Sequence, residues 1–154
     1  MSYLTLAERA VQRPTPETAR HALDLALPWP PSLNRIWRAI NSRILLSKEA
    51  RAFKKAAAGA LPVGRVPAPL TGRLAVHILL CPPANQQDAK WDIANREKLL
   101  CDTLTQQRVW LDDSQIDWLS IARGPAFALG RAFVRIDVYH TDVLATPILP
   151  KDSP

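Results

Sequence analysis

The chain has 154 residues, of which 47% are hydrophobic, and this favours a single domain with a substantial core. No run of about 18 apolar residues is present, which excludes a membrane-spanning helix, and the first 13 residues lack the apolar stretch of a secretory signal. Three histidines and two cysteines show no zinc-ligand spacing. We therefore expect Cys81 and Cys101 to be buried thiols of a cytoplasmic protein.

The net charge is +6 and the pI is about 9.8, but the distribution of the charge is more informative than its sum. Residues 25–87 carry nine cations and a single acid, Glu49, whereas residues 88–142 carry nine acids and seven cations. The first region is a candidate phosphate-binding surface and the second holds the carboxylates. A solvated basic face is the alternative interpretation of the first region.

Local sequence signals predict the helices, strands and loops. In chain order we expect an N-terminal extension (1–22), a strand (23–27), a loop or hairpin that carries cations (32–46), a helix (47–60), a linker loop (62–69), a strand (73–81), a helix (92–107), two strands (116–122 and 132–139) and a loose C-terminal tail (143–154). Ser47 is a good N-cap for the first helix, and Pro82-Pro83 end the second strand. This order predicts an α+β domain over residues 23–142, with a single mixed β-sheet flanked by helices.

The second predicted helix carries an acidic residue on its apolar side. At 100° per residue its apolar stripe consists of Ile93, Leu100, Cys101 and Leu104. Glu97 falls inside this stripe, where a carboxylate is costly unless it is paired or binds a metal; alternatively, its side chain reaches water from the helix end. On the opposite side, Lys98 and Asp102 have the spacing of an ion pair.

Other acids are candidates for chemistry. Asp92 begins the predicted helix, where a simple N-cap is the alternative, and Asp112-Asp113 follow Trp110-Leu111, where acids are also common in turns. A small anionic spot beside a cationic surface suits phosphodiester hydrolysis. Carboxylates hold Mg²⁺, and the metal polarises the phosphate and lowers the pKa of a water molecule.

Several of these segments together carry a family resemblance. They are Leu27-Pro28-Trp29-Pro30-Pro31-Ser32-Leu33-Asn34-Arg35, Ser47 to Phe53, Pro82-Pro83, Asp92-Ile93-Ala94-Asn95-Arg96-Glu97-Lys98, Asp102-Thr103-Leu104-Thr105 and Val109-Trp110-Leu111-Asp112-Asp113-Ser114-Gln115-Ile116. In order and spacing, over about residues 23–142, they resemble the RusA family of Holliday-junction resolvases. The resemblance implies a homodimeric endonuclease that uses Mg²⁺, with Mn²⁺ as a second usable metal. Such enzymes make paired symmetric nicks in four-way DNA junctions and are often carried by phages.

The resemblance also implies roles for individual residues. By position, Asp92 and Asp113 are catalytic metal ligands and Lys98 is the catalytic lysine. Asn95 and Asp112 are expected to support these groups without binding the metal themselves.

One position departs from the family pattern, because the remaining aspartate of the family falls on Ala94, which has no ligand atom. Three accounts are open: the site is inactivated, naturally or by engineering; Glu97 supplies the missing oxygen; or Asp88 or Asp112 does. We favour Glu97 as a third catalytic ligand, since side chains at i and i+3 touch on a helix.

Contacts to the DNA backbone are expected from six cations: Arg35, Arg38, Arg43, Arg51, Lys54 and Lys55. We expect Trp37 and Phe53 in the core, with insertion at the junction centre as the alternative. Two other classes of protein are open: a protein that binds branched DNA without cutting it, because of Ala94, and a basic structural protein without a DNA role.

Overall fold

A computed structural model describes residues 19–62 and 68–139. Its elements are strand β1 (Ala19–Pro28), a 3-10 turn (Leu33–Arg35), strands β2 (Trp37–Ile40) and β3 (Arg43–Leu46), helix α1 (Lys48–Ala60), strand β4 (Arg73–Cys81), a 3-10 turn (Ala84–Gln86), helix α2 (Glu97–Gln106), a 3-10 turn (Asp113–Gln115), and strands β5 (Ile116–Arg123) and β6 (Arg131–Tyr139). Neither α1 nor α2 has the length and apolar character that crossing a membrane requires.

The main sheet has four strands in the order β1-β6-β4-β5. Strand β6 pairs antiparallel with both β1 and β4, whereas β4 and β5 are parallel. The sheet is therefore mixed, and with its two helices it confirms the predicted α+β class. Strands β2 and β3 form a separate two-stranded hairpin, so the expectation of a single sheet was incomplete.

Alternating side chains place one face of the sheet in the core. The residues of the two central strands that belong to this core are Leu74, Val76, Ile78 and Leu80 of β4, and Ala132, Val134 and Ile136 of β6. Helix α1 contacts β1 and α2, and it adds Phe53 to the same core. Each fully buried leucine contributes about 1.5–3 kcal/mol relative to an exposed one.

Local signals explain where α1 and the hairpin form. The hydroxyl of Ser47 accepts a hydrogen bond from the backbone N–H of Ala50 at 3.1 Å, which confirms Ser47 as the N-cap. Asn41 and Ser42 both have positive φ values, +48° and +61°, as the two central residues of a type I′ turn require. The predicted loop or hairpin over residues 32–46 is thus a hairpin.

Two boundaries differ from the predicted ones by more than one residue. Strand β1 begins at Ala19, within the segment assigned to the N-terminal extension. Helix α2 begins at Glu97, five residues after the predicted start. The side chain of Asp92 accepts hydrogen bonds from the residues that follow it, and such local bonds favour a turn over a helix. Most of the predicted N-terminal extension, most of the linker loop and the C-terminal tail lie outside the described residues.

A polar cluster occupies the opposite face of the sheet. Asp137 accepts hydrogen bonds from Arg135 Nε at 3.1 Å and lies 3.3 Å from the Nδ1 atom of His21. His77 lies 2.7 Å from the hydroxyl of Ser120. Because Asp137 is almost fully buried, these partners offset the cost of burying its charge.

Candidate active site

The residues predicted to be catalytic lie in the connection between two strands of the sheet. Parallel strands need a crossover, and the chain passes from β4 to β5 through residues 82–115, which include α2. Asp92, Glu97, Lys98 and Asp113 all lie within this crossover. The parallel pairing of β4 and β5 therefore confines the candidate site to a single connection.

Lys98 joins two carboxylates. Its Nζ atom lies 2.8 Å from Asp102 Oδ1 and 3.2 Å from Asp113 Oδ2. Hydrogen bonds to these two acids raise the pKa of Lys98 well above its usual value, so its ammonium group stays charged. The predicted Lys98–Asp102 pair is confirmed, and the contact to Asp113 connects α2 with the turn before β5.

Glu97 is a half-buried acid beside this pair. In the described parts of the chain its carboxylate has no hydrogen-bond or ion-pair partner. Burial raises its pKa, the charge of Lys98 lowers it, and the charges of Asp102 and Asp113 raise it further. A partly desolvated carboxylate beside two others is a place where a bound cation would be stabilising.

The turn that carries Asp113 is held by a residue to which the sequence analysis assigned no role. The side chain of Gln115 accepts hydrogen bonds from the backbone N–H groups of Leu111 and Asp112, at 2.7 and 3.0 Å. It also donates to the carbonyl groups of Leu70 and Gly72, at 3.1 and 2.9 Å. The spacing of Asp112 and Gln115 is that of a capping box, which was a readable signal.

Asp112 completes this turn. Its Oδ1 atom accepts a hydrogen bond from the backbone N–H of Ser114 at 2.9 Å, and bonds to Ser114 hold the pKa of Asp112 below its usual range. Its carboxylate is therefore used to shape the backbone, while the side chain of Asp113 faces Lys98.

Asp92 lies in the turn before α2. Its two carboxylate oxygens accept hydrogen bonds from the backbone N–H of Ala94 at 3.0 Å and from the amide of Asn95 at 3.1 Å. The carbonyl of Asn95 in turn accepts from the N–H of Leu33 at 2.7 Å, which ties this turn to the proline-rich segment after β1. Because Ala94 precedes the helix, the helical i to i+3 argument that linked it to Glu97 was wrong.

The carboxylates allow a test of fit for a metal ion. Within residues 19–62 and 68–139, no three His, Cys, Asp or Glu side chains are arranged to share an ion. Mg²⁺, however, is commonly held by one or two carboxylates together with water and substrate phosphates. Glu97, which is half-buried and has no partner in the part of the chain that the structure describes, and Asp113, exposed beside it, fit that kind of site.

The predicted DNA-binding cations fall into two groups. Arg35, Arg38, Arg43 and Lys55 are exposed. Two others already have partners: Arg51 donates to the carbonyl of Leu46 at 2.7 Å, and Lys54 donates to Gln106 at 2.9 Å.

The two aromatic residues expected in the core are placed differently. Phe53 is 5% exposed and belongs to the core. Trp37 is 56% exposed, so its assignment to the core was wrong. Its strand belongs to the hairpin and not to the main sheet, which leaves its side chain largely in solvent.

Comparison with known proteins finds relatives of a single family. A family model described as endodeoxyribonuclease RusA matches residues 28–138. The crossover junction endodeoxyribonuclease RusA of Escherichia coli (strain K12) is 29% identical over 107 residues, which cover 70% of this chain and 87% of the relative. The protein of the same name from Enterobacteria phage 82 has the same identity and coverage, and that of Shigella sonnei (strain Ss046) is 28% identical over 107 residues. The chain belongs to the endodeoxyribonuclease RusA family.

Proposed function

We propose that this protein is a magnesium-dependent endonuclease that resolves four-way (Holliday) DNA junctions by paired symmetric nicks. Relatives over the same region are named crossover junction endodeoxyribonucleases. The observation that carries the proposal is the contact of Lys98 with Asp113, next to the half-buried carboxylate of Glu97, which has no partner among the described residues. This is a compact group of a fixed cation and acids in a basic protein.

In this proposal different side chains bind the metal, stabilise charge and position the ligands. Glu97 and Asp113 are the residues that would hold Mg²⁺, which when bound supplies charge for the phosphate and acidity for a water molecule. Asp92 is a further proposed ligand by its position in the family pattern alone. Lys98, permanently charged, lies where it would offset negative charge that develops on the phosphate oxygens. Asn95 orients Asp92, and Gln115 fixes the turn of Asp113.

The exposed cations would hold the DNA. Arg38 and Arg43 lie on the hairpin and Arg35 in the turn before it, and such side chains bind phosphates without reading sequence. We further propose a twofold homodimer, because two copies of the site related by a dyad would face two strands of like polarity.

A junction cleavage assay tests the proposal. The purified chain should nick a four-way junction in Mg²⁺ and not in EDTA, and Glu97→Gln should abolish nicking while junction binding in Ca²⁺ persists. Uncut junctions with the unaltered chain would contradict nuclease activity. Undiminished nicking by Glu97→Gln would contradict the role of Glu97.

A second function has its own support. Ala94 lies beside Asp92 with no ligand atom, and no group of three metal-binding side chains is preformed in the described segments. These observations favour a protein that binds branched DNA with impaired catalysis. Junction binding without nicking in Mg²⁺ or Mn²⁺, together with nicking gained by Ala94→Asp, would select this alternative.

A further inference from the structure

A cleft opens beside Asp92. It has a volume of about 860 Å³ and is lined by Trp29, Arg35, Ala52, Phe53, Trp91 and Arg96, among others. This volume lies within the roughly 300–1,000 Å³ that is usual for sites of small organic ligands. Its walls come from the segment after β1, from α1 and from the turn before α2.

One wall of the cleft is aromatic. The rings of Trp29 and Trp91 meet edge to face with their centroids 5.1 Å apart. The guanidinium of Arg96 lies over the ring of Trp29 at 4.6 Å, and Arg123 lies over Trp91 at 3.9 Å. Aromatic faces and guanidinium planes are the surfaces on which proteins stack unpaired bases.

Arg96 has a donor without an acceptor. Its Nη1 atom donates to the carbonyl of Pro30 at 2.6 Å, but its Nε atom is buried and unpartnered within the described residues. Burial lowers the pKa of Arg96, and the nearby charge of Arg35 lowers it further. Neither arginine forms an ion pair with a described acid. An anion between Arg35 and Arg96 would relieve the repulsion between their charges.

The cleft also contains carboxylates. Glu49 and Asp92 line it, together with three cations, Arg35, Lys90 and Arg96. The cations therefore outnumber the acids, and an anionic ligand is favoured over a cation.

We propose that this cleft receives one unstacked nucleotide of the junction strand, close to the phosphate that is cut. Its base lies in the aromatic part, and its phosphate lies on Arg35 and Arg96. The inference rests on the proposed function and deepens it, since the cleft and the candidate active site share Asp92. Bases at a four-way junction are unstacked more easily than bases within a continuous duplex.

Filling the cleft tests the inference without removing a charge. Ala52 is exposed on α1 and lines the cleft, whereas Ala60 is exposed on the same helix and does not line it. Ala52→Phe should therefore block the cleft, and Ala60→Phe is the matched control. Both variants leave the core and every cation in place.

The probe is a set of four-way junctions that each carry one abasic nucleotide near the crossover, bound in Ca²⁺ so that none is cut. One abasic position should weaken binding to the unaltered chain by about fivefold or more. Ala52→Phe should bind this junction and the intact one equally, and Ala60→Phe should behave like the unaltered chain. A neutral methylphosphonate at the neighbouring phosphate should weaken binding to the unaltered chain but not to Arg35→Gln.

The outcomes separate the two proposals. If the junctions are bound in Ca²⁺ and cut in Mg²⁺, but abasic positions affect the binding of all three proteins alike, the inference is overturned and the nuclease assignment stands. If the unaltered chain binds no junction, both proposals fall.

Discussion

The ammonium of Lys98 lies 3.2 Å from the carboxylate of Asp113, and this contact joins the first turn of α2 to the turn that begins at Asp113. The two residues are 15 apart in sequence. Their contact brings a fixed positive charge to the acidic part of the candidate site.

Replacement of Lys98 separates a chemical role from a structural one. Lys98→Ala should reduce single-turnover cleavage by about a hundredfold or more, if the ammonium stabilises charge on the phosphate. Its free energy of unfolding should fall by about 1 kcal/mol or less, because the ion pairs are exposed. Asp102→Asn is the control, since it keeps the contact between Lys98 and Asp113 and should retain most of the cleavage. Near-normal cleavage by Lys98→Ala would leave only a structural role.

The half-burial of the Glu97 carboxylate, which has no partner in residues 19–62 and 68–139, has a consequence for stability. In EDTA, Glu97→Gln should raise the urea midpoint of unfolding, since it removes a half-buried charge that Asp102 and Asp113 repel. Addition of Mg²⁺ should stabilise the unaltered chain and have less effect on the variant. An equal response of both proteins to Mg²⁺ would show that Glu97 does not take part in binding the ion.

Gln115 is expected to act through the position of Asp113. Gln115→Ala loses four hydrogen bonds, and we expect a cost of about 2 kcal/mol in the free energy of unfolding. Cleavage measured well below the melting temperature should also decrease, with junction affinity in Ca²⁺ unchanged. Gln107→Ala removes an exposed glutamine at the end of α2 and should change neither quantity. Loss of stability with intact cleavage would make Gln115 purely structural.

The cations of the hairpin should contribute to the salt dependence of junction binding. Arg43→Gln is expected to lower the slope of log K against log salt concentration by about 1, as the loss of one phosphate contact does. Arg20→Gln removes the same charge from strand β1, at an edge of the main sheet, and should leave the slope unchanged. Titration of a labelled junction at several salt concentrations gives both slopes. Equal slopes for the two variants would argue against phosphate contact by Arg43.

The two thiols should be unreactive in the folded protein. Cys81 and Cys101 are buried and unpaired, and burial raises the pKa of Cys101 from 9.0 to about 12. A thiol reagent at pH 8 should label both residues in urea and neither in buffer. The unfolded chain loses this proton at lower pH than the folded chain, so stability should fall as the pH rises from 9.0 towards 12. Rapid labelling of native Cys101 would contradict its burial.

The sequence predicted the parts of the fold that depend on local patterns. The strand at residues 73–81 matches β4 at both ends, because β-rich residues fill it and Pro82 follows. The cap at Ser47 was also readable, because an N-cap depends only on residues next to one another in the sequence. The start of α2 was not readable, because aspartate is a common N-cap residue. In the structure Asp92 instead belongs to a turn, in which its carboxylate accepts a hydrogen bond from the amide of Asn95.

The candidate site was predictable as a set of residues but not as an arrangement. The spacing of Lys98 and Asp102 indicated their pair. The contacts of Gln115 with Leu70 and Gly72 span more than 40 residues, and no local pattern encodes them. The cleft of Trp29 and Arg96 was missed for the same reason, because its walls come from three separate segments.

The crossover between β4 and β5 keeps the candidate metal ligands separate from the sheet. Every candidate metal ligand lies on one continuous cassette, residues 82–115, and the sheet supplies none of them. Exchange of this cassette between relatives should transfer cleavage behaviour while the scaffold is kept. The two ends of the cassette come together only when β5 pairs with β4. This pairing joins distant parts of the chain and therefore forms slowly during folding. Under the proposed function, a partly folded chain would bind DNA through its hairpin before it is able to cut.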